Sequence, residues 1–80
     1  MKLKQLECIA AVARSGYNVT AAAEKLHMSQ PAVSKHIKLA EELLGLPIFR
    51  RNSKTFVGLT EVGEAIMPDI ERIMASVENI

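Results

Sequence analysis

The chain has 80 residues, of which 49% are hydrophobic and 24% charged, with a net charge of +1 and three aromatics, Tyr17, Phe49 and Phe56. That is the composition of one small globular domain rather than a disordered tail, and no apolar run reaches the roughly 18 residues of a membrane span. The lone Cys8 excludes an internal disulfide framework and any zinc set.

Leu3, Leu6, Ile9, Ala10 and Ala13 recur at helical spacing, which predicts an amphipathic helix over residues 2–15 with Gly16 just past its end. Cys8 lies off that stripe and reads as a small, partly exposed filler. The charged start, Met1-Lys2-Leu3-Lys4-Gln5, leads straight into this segment, which argues against a secretory signal, and the lone Cys8 makes a reducing cytoplasm the expected location. Asn18 or Thr20 can cap a second helix, whose body Ala21-Ala22-Ala23-Glu24-Lys25-Leu26 lets another helix approach closely. His27-Met28 breaks the pattern. Ser29 then caps a third helix with Pro31 in its first turn, where a missing N–H does no harm. That helix turns Val33, Ile37 and Leu44 inward and stops at Gly45. Two helices joined by so short a turn form a helix-turn-helix.

Beyond Pro47, Ile48-Phe49-Arg50-Arg51 and Thr55-Phe56-Val57-Gly58-Leu59 flank the turn formers Asn52-Ser53-Lys54, the pattern of a short hairpin. Thr60 caps a final helix to residue 80, with Ile66, Ile70, Ile73, Val77 and Ile80 at a sustained a/d spacing and Pro68 inside it, where a kink is expected. The first turns, through Val62, Ala65 and Ile66, can close over the domain's own core. Beyond Pro68 there is little domain left to cover the seam, and a second copy is the expected cover. The fold class is therefore mainly α: a winged helix-turn-helix of three helices and a short β-hairpin over residues 1–59, then a linker and dimerisation helix over 60–80. A chain this short buries only about 60% of its unfolded surface, which makes such help useful.

Charge is uneven along this plan. Lys25, Lys35, Lys38, Arg50, Arg51 and Lys54 against Glu41 and Glu42 give residues 25–60 a net +4. Arg72 against Glu61, Glu64, Asp69, Glu71 and Glu78 gives residues 61–80 a net −4. A basic middle beside an acidic tail suits a polyanion at the middle. Double-stranded DNA is the expected partner. A recognition helix carries short polar and basic side chains near its N-terminus, and the third helix offers Ser29, Gln30, Ser34, Lys35 and Lys38. Gln30 can pair with adenine, Lys35 can donate to guanine, Ser34 can serve base or phosphate, and Pro31 can lie against a thymine methyl. Arg51, Ser53 and Lys54 on the wing suit phosphates or a narrow minor groove. Any soluble helix, however, has a polar outer face, and any hairpin can be a solvated charged one. A helical protein-interaction module that captures a partner helix along its a/d seam is the competing reading. It leaves the Ser29–Lys38 face and the wing without a role.

Catalysis has no support, for there is no nucleophile triad, phosphate loop or convergent carboxylate pair. Glu41-Glu42 and the acids of the tail read as solvated helix faces. His27 and His36, nine apart, have no partner ligands at metal spacing, so no metal and no cofactor are expected. His27 is expected to pack in the turn and His36 to contact backbone or solvent.

Three blocks resemble the N-terminal DNA-binding domain of the LysR-type transcriptional regulators. They are Ala22-Ala23-Glu24-Lys25-Leu26-His27-Met28-Ser29-Gln30-Pro31-Ala32-Val33-Ser34-Lys35-His36-Ile37, then Leu44-Gly45-Leu46-Pro47-Ile48-Phe49-Arg50-Arg51, then Leu59-Thr60-Glu61-Val62-Gly63. The resemblance implies base contacts from Gln30, Pro31, Ser34 and Lys35 and wing contacts from Arg51 and Lys54. It makes Ser29, Lys38 and Ser53 supporting backbone contacts and residues 61–80 a linker helix that pairs two subunits. It further implies an interrupted inverted repeat as target, a homodimer that can assemble to a tetramer in an intact protein, and a small-molecule effector bound by a separate domain not in these residues. Gly16-Tyr17-Asn18-Val19-Thr20 and the nine positions from Arg51 to Thr60 are each one residue longer than in many members. With Ser34-Lys35 where many have Ser-Arg, this looks like the CysB-like subgroup, which regulates sulfur assimilation. The family usually has leucine at position 40 and polar residues at 39 and 43. Here Ala40, Leu39 and Leu43 imply either a rotated third helix or a neighbour packed on those leucines.

Overall fold

The computed structural model describes all 80 residues as four helices and one hairpin. In chain order they are α1 (Leu3–Arg14), α2 (Val19–Leu26), α3 (Gln30–Leu44), β1 (Phe49–Asn52), β2 (Thr55–Leu59) and α4 (Glu61–Glu78).

Each helix starts where a side chain satisfies its free N–H groups. The Gln5 side chain accepts from Lys2 N–H at 3.0 Å, Asn18 Oδ1 from Ala21 N–H at 3.0 Å, Ser29 Oγ from Ala32 N–H at 3.2 Å and Thr60 Oγ1 from Gly63 N–H at 3.0 Å. Asn18, not Thr20, caps α2. The stops are equally local: His27 ends α2 and Gly45 ends α3, both left-handed at φ 55° and 76°. The helix-turn-helix is thus closed at every terminus by groups within a few residues of it.

The core is built around α1, which packs against α2, α3 and α4. Cys8, Ile9, Ala10 and Val12 meet Ala22 and Ala23 of α2, Val33, Ile37 and Ala40 of α3, Ile48 and Phe49 at the wing root, and Ile70 and Met74 of α4. Phe49 is the largest buried side chain; its ring stacks on Phe56 at 4.8 Å and meets the edge of Tyr17 at 6.2 Å. The hairpin pairs Phe49 with Leu59, Arg50 with Gly58, Arg51 with Phe56 and Asn52 with Thr55. Val57 is left without a partner, a bulge that adds twist to the wing. The turn is shorter than expected, since Asn52 belongs to β1 and only Ser53 and Lys54 cross over.

Several inward and outward assignments change. Cys8 is fully buried, because α4 and α3 cover flanks of α1 that its own stripe leaves open. Leu3 stays exposed at the start of α1. On α3 the inward series is Val33, Ile37 and Ala40; Leu44 follows in the last turn, which runs past the core, and is 38% exposed. Leu39 and Leu43 are exposed as well, so α3 is not rotated to bury them and nothing in this chain covers them.

The last helix departs most from its a/d reading. Ile70 is 2% exposed and belongs with Met74 to the chain's own core, so it is not free to face a second copy. Ile66 is half-buried against the same core, Val62 is half-buried, and Ala65 is exposed. Ile73, Val77 and Ile80 remain outside. The seam splits because α4 folds back on α1, where Arg14 pairs with Glu71 and Glu78. The helix runs unbroken through Pro68.

Candidate nucleic-acid interface

The outer face of α3 and the wing stand side by side because one buried ring, Phe49, anchors the wing root in the core. Ser29, Gln30, Pro31, Ser34, Lys35 and Lys38 are all exposed along α3, as are Arg51, Ser53 and Lys54 on the hairpin. Between the two elements lies a cleft of about 450 Å³ lined by Ser34, Lys38, Arg51, Ser53, Lys54 and Phe56. Five residues singled out in the sequence therefore converge on one concavity, from elements well separated along the chain. Gln30 lies on the far side of Lys54, in a second cleft of about 380 Å³ formed with the α1–α2 turn. There it accepts a bond from the Thr20 hydroxyl at 3.4 Å. Lys35 stands on the open face of α3 and lines neither cleft. Ser29 and Pro31 shape the first turn, Ser29 with its hydroxyl already engaged as the cap.

The charges of this face are arranged for an external anion. Lys35, Lys38 and Lys54 make no ion pair within the chain. Arg51 is the exception. Its Nη2 donates to Glu41 Oε1 at 2.7 Å, and its guanidinium lies 4.7 Å from the centre of the Phe56 ring. The groups whose proton affinity the fold shifts, Lys4, Cys8 and Arg14, all sit on α1 outside this cleft. A hydrogen bond to Glu7 raises Lys4, burial raises the Cys8 thiol, and a hydrogen bond to Glu71 raises Arg14.

Glu41 is the residue that sequence reasoning missed. It is not part of a solvated face: its Oε2 accepts from Ile48 N–H at 2.7 Å and Phe49 N–H at 3.2 Å while Oε1 holds Arg51. The available signal was an acid one turn after Lys38 inside the basic middle. Phe56, the ring under Arg51, was also missed as part of the cleft. His27 caps α2 and is exposed, rather than packed in the turn. His36 has a buried Nδ1 that makes no hydrogen bond. No group of three or more metal-ligating side chains forms. No helix is long and apolar enough to cross a membrane.

The chain matches the family model for the bacterial regulatory helix-turn-helix proteins of the lysR family over residues 3–64. It is 42% identical over all 80 residues to the HTH-type transcriptional regulator cbl of Klebsiella aerogenes, covering 25% of that protein. It is 41% identical to the HTH-type transcriptional regulator CysB of Burkholderia cenocepacia, covering 26% of it. The chain thus spans about a quarter of the length of these two relatives. Among solved structures, the CbnR_DBD–DNA complex superposes with a TM-score of 0.85 at 34% identity, over 99% of this chain and 88% of that one. The BenM_DBD/catB site 1 DNA complex superposes with a TM-score of 0.87 at 29% identity, over 99% of this chain and 86% of that one. The relatives named are transcriptional regulators and not enzymes, and the cbl and CysB proteins among them match over the whole of this chain. With its fold, its exposed α3 face and its wing in the arrangement of those proteins, the chain belongs to the LysR family of bacterial helix-turn-helix transcriptional regulators.

Proposed function

We propose that this chain is the DNA-reading module of a LysR-type regulator, with residues 1–59 as the reading domain and 60–80 as the pairing helix. Two copies bind one interrupted inverted repeat in duplex DNA. In this reading α3 enters the major groove, where Gln30, Pro31, Ser34 and Lys35 meet base edges. Ser29 and Lys38 hold phosphates beside it. Arg51, Ser53 and Lys54 carry the wing onto the flanking backbone or minor groove. The observation that carries the reading is the single cleft that gathers Ser34, Lys38, Arg51, Ser53 and Lys54 from helix and wing. Similar domains solved as DNA complexes support DNA as the partner. Pairing rests on the exposed Ile73, Val77 and Ile80 of α4, with Ile66 half-exposed beside them. In the longer protein, a small molecule sensed by another domain would control transcription through this module. Similarity to CysB and cbl supports a role in sulfur assimilation.

The test is a fluorescence-anisotropy titration of the chain against a pool of genomic promoter fragments and a scrambled duplex, each at two salt concentrations. Selective binding that survives at the higher salt is expected. Weak, equal binding that collapses with salt would mark a merely basic surface and favour the protein-interaction reading.

A further inference from the structure

We infer that Glu41 is a positioning residue for DNA binding, setting the wing and its Arg51 against α3. The inference rests on the DNA-reading function proposed above. A carboxylate has the wrong charge to touch DNA, and this one is turned inward, its side chain 11% exposed. Its two oxygens divide the work. Oε2 takes the N–H groups of Ile48 and Phe49, the buried residues at which the wing leaves the core. Oε1 takes one Nη of Arg51, two residues further along β1. One side chain from the last third of α3 thus clamps both the root of the wing and the guanidinium on its inner edge. The clamp closes across Gly45-Leu46-Pro47, whose backbone is held otherwise by Gly45 N–H to Glu41 C=O and by the Thr60 hydroxyl on Pro47 C=O.

The restraint leaves Arg51 usable. The guanidinium carries five N–H donors in a planar fork, and only Nη2 is engaged, with the Phe56 ring beneath the plane. The Arg51 side chain is still 38% exposed and lines the cleft. Its remaining donors are held where a phosphate at the cleft would meet them, with the rotamer freedom of a long side chain already lost before binding.

Charge and position predict opposite signs, which makes the inference testable. If Glu41 acted only as a negative charge near a polyanion, removing that charge would tighten binding to every duplex. If it positions Arg51, Glu41→Gln weakens binding to a specific site even though net repulsion falls. Glutamine keeps one carbonyl oxygen for the wing-root N–H groups but loses the ionic hold on Arg51.

The experiment compares the wild-type chain, Glu41→Gln, Arg51→Ala and the double variant on two probes. One is a duplex selected by the wild-type chain from a random-sequence pool; the other is a scrambled duplex of the same composition. Glu41→Gln is expected to lose affinity for the selected duplex by on the order of tenfold. On the scrambled one the loss should be smaller, because the fall in net repulsion offsets part of it, and the loss should vanish in the Arg51→Ala background. Equal or tighter binding of Glu41→Gln to the selected duplex, or the same loss in both backgrounds, overturns the inference while the function stands. A wild-type chain with no preference for the selected duplex overturns both. A readout that needs no variant is NMR relaxation at the Arg51 side-chain Nε in the free protein. An ordered guanidinium supports the clamp, and one as mobile as that of Arg50 overturns it.

Discussion

Lys35 and Lys54 carry the same charge, yet the geometry gives them different work. Lys35 stands on the open face of α3 among side chains that meet base edges, whereas Lys54 crosses the tip of the wing between two clefts. Lys35→Ala should therefore cost about 1–3 kcal/mol on a selected site and relax base preference at one position. Lys54→Ala should weaken specific and scrambled duplexes alike and flatten the salt dependence. Anisotropy titrations across a salt series separate the two; a base-selective loss at Lys54 would show that the wing reads sequence. Cys8 makes the opposite case, a reactive group put out of use. It has no exposed surface, and burial raises its thiol pKa, so thiolate is scarce at neutral pH. A chromogenic disulfide reagent should leave the native chain unmodified and titrate one thiol only after denaturation. Prompt reaction of the native chain would mean that α1 opens locally. The burial of Cys8 was not legible in the sequence. A stripe read from one helix reports the face it turns to a single neighbour, whereas α1 is surrounded by three.

Where the wing returns to α4, the two elements are joined through the carbonyls of Pro47 and Ile48. Thr60 N–H and Oγ1 both donate to the carbonyl of Ile48, at 2.9 and 3.1 Å, and Oγ1 also donates to Pro47 C=O. Gly63 sits on the same carbonyl: a Cβ there would lie 2.2 Å from Ile48 O. Alanine would favour the helix by about 1 kcal/mol over glycine, but the clash meets a carbonyl tied down by Thr60. Overpacking of this kind costs about 1–3 kcal/mol, and backbone contact puts it at the upper end. The clash wins, and Gly63→Ala should lower the melting temperature. Gly58→Ala serves as the comparison, because its Cβ would meet only the tip of the flexible Arg50 side chain. A raised melting temperature for Gly63→Ala would show that the wing root yields. The helices and caps were legible because Asn18, Ser29, Gly45 and Thr60 act within a few residues of themselves. Of the residues chosen on α3 and the wing, Ser34, Lys38, Arg51, Ser53 and Lys54 line one cleft, whereas Gln30 lies in another and Lys35 in neither. What stayed hidden was Glu41, whose partners lie seven to ten residues away across a loop and are mostly backbone N–H groups. A backbone partner leaves no mark in a pattern of side chains.

At the scale of the whole molecule, the question is which side of α4 belongs to this chain. Regular a/d spacing put Ile70 and Ile73 on one seam, but the fold separates them. Ile70 is 2% exposed inside the core, while Ile73 is 43% exposed beside Asp69, Arg72 and Ser76. A charge placed at each position is therefore expected to fail in a different way. Ile70→Asp buries a carboxylate with no ionic partner, a penalty of several kcal/mol. A small domain holds only about 5–15 kcal/mol of stability, so a large part of this one should unfold, with loss of helical circular dichroism. Ile73→Asp puts the same charge on a surface already flanked by water, and the monomer fold should keep its helical signal. If Ile73, Val77 and Ile80 pair two copies, Ile73→Asp leaves a buried charge at the pairing surface. Sedimentation should then show folded monomers where the wild-type chain sediments as a dimer. DNA binding should weaken with it, because two half-sites would have to be filled independently rather than by one linked pair. A folded Ile73→Asp variant that remains dimeric would move the interface elsewhere, first to the exposed Leu39, Leu43 and Leu46 around the end of α3, which this chain also leaves uncovered.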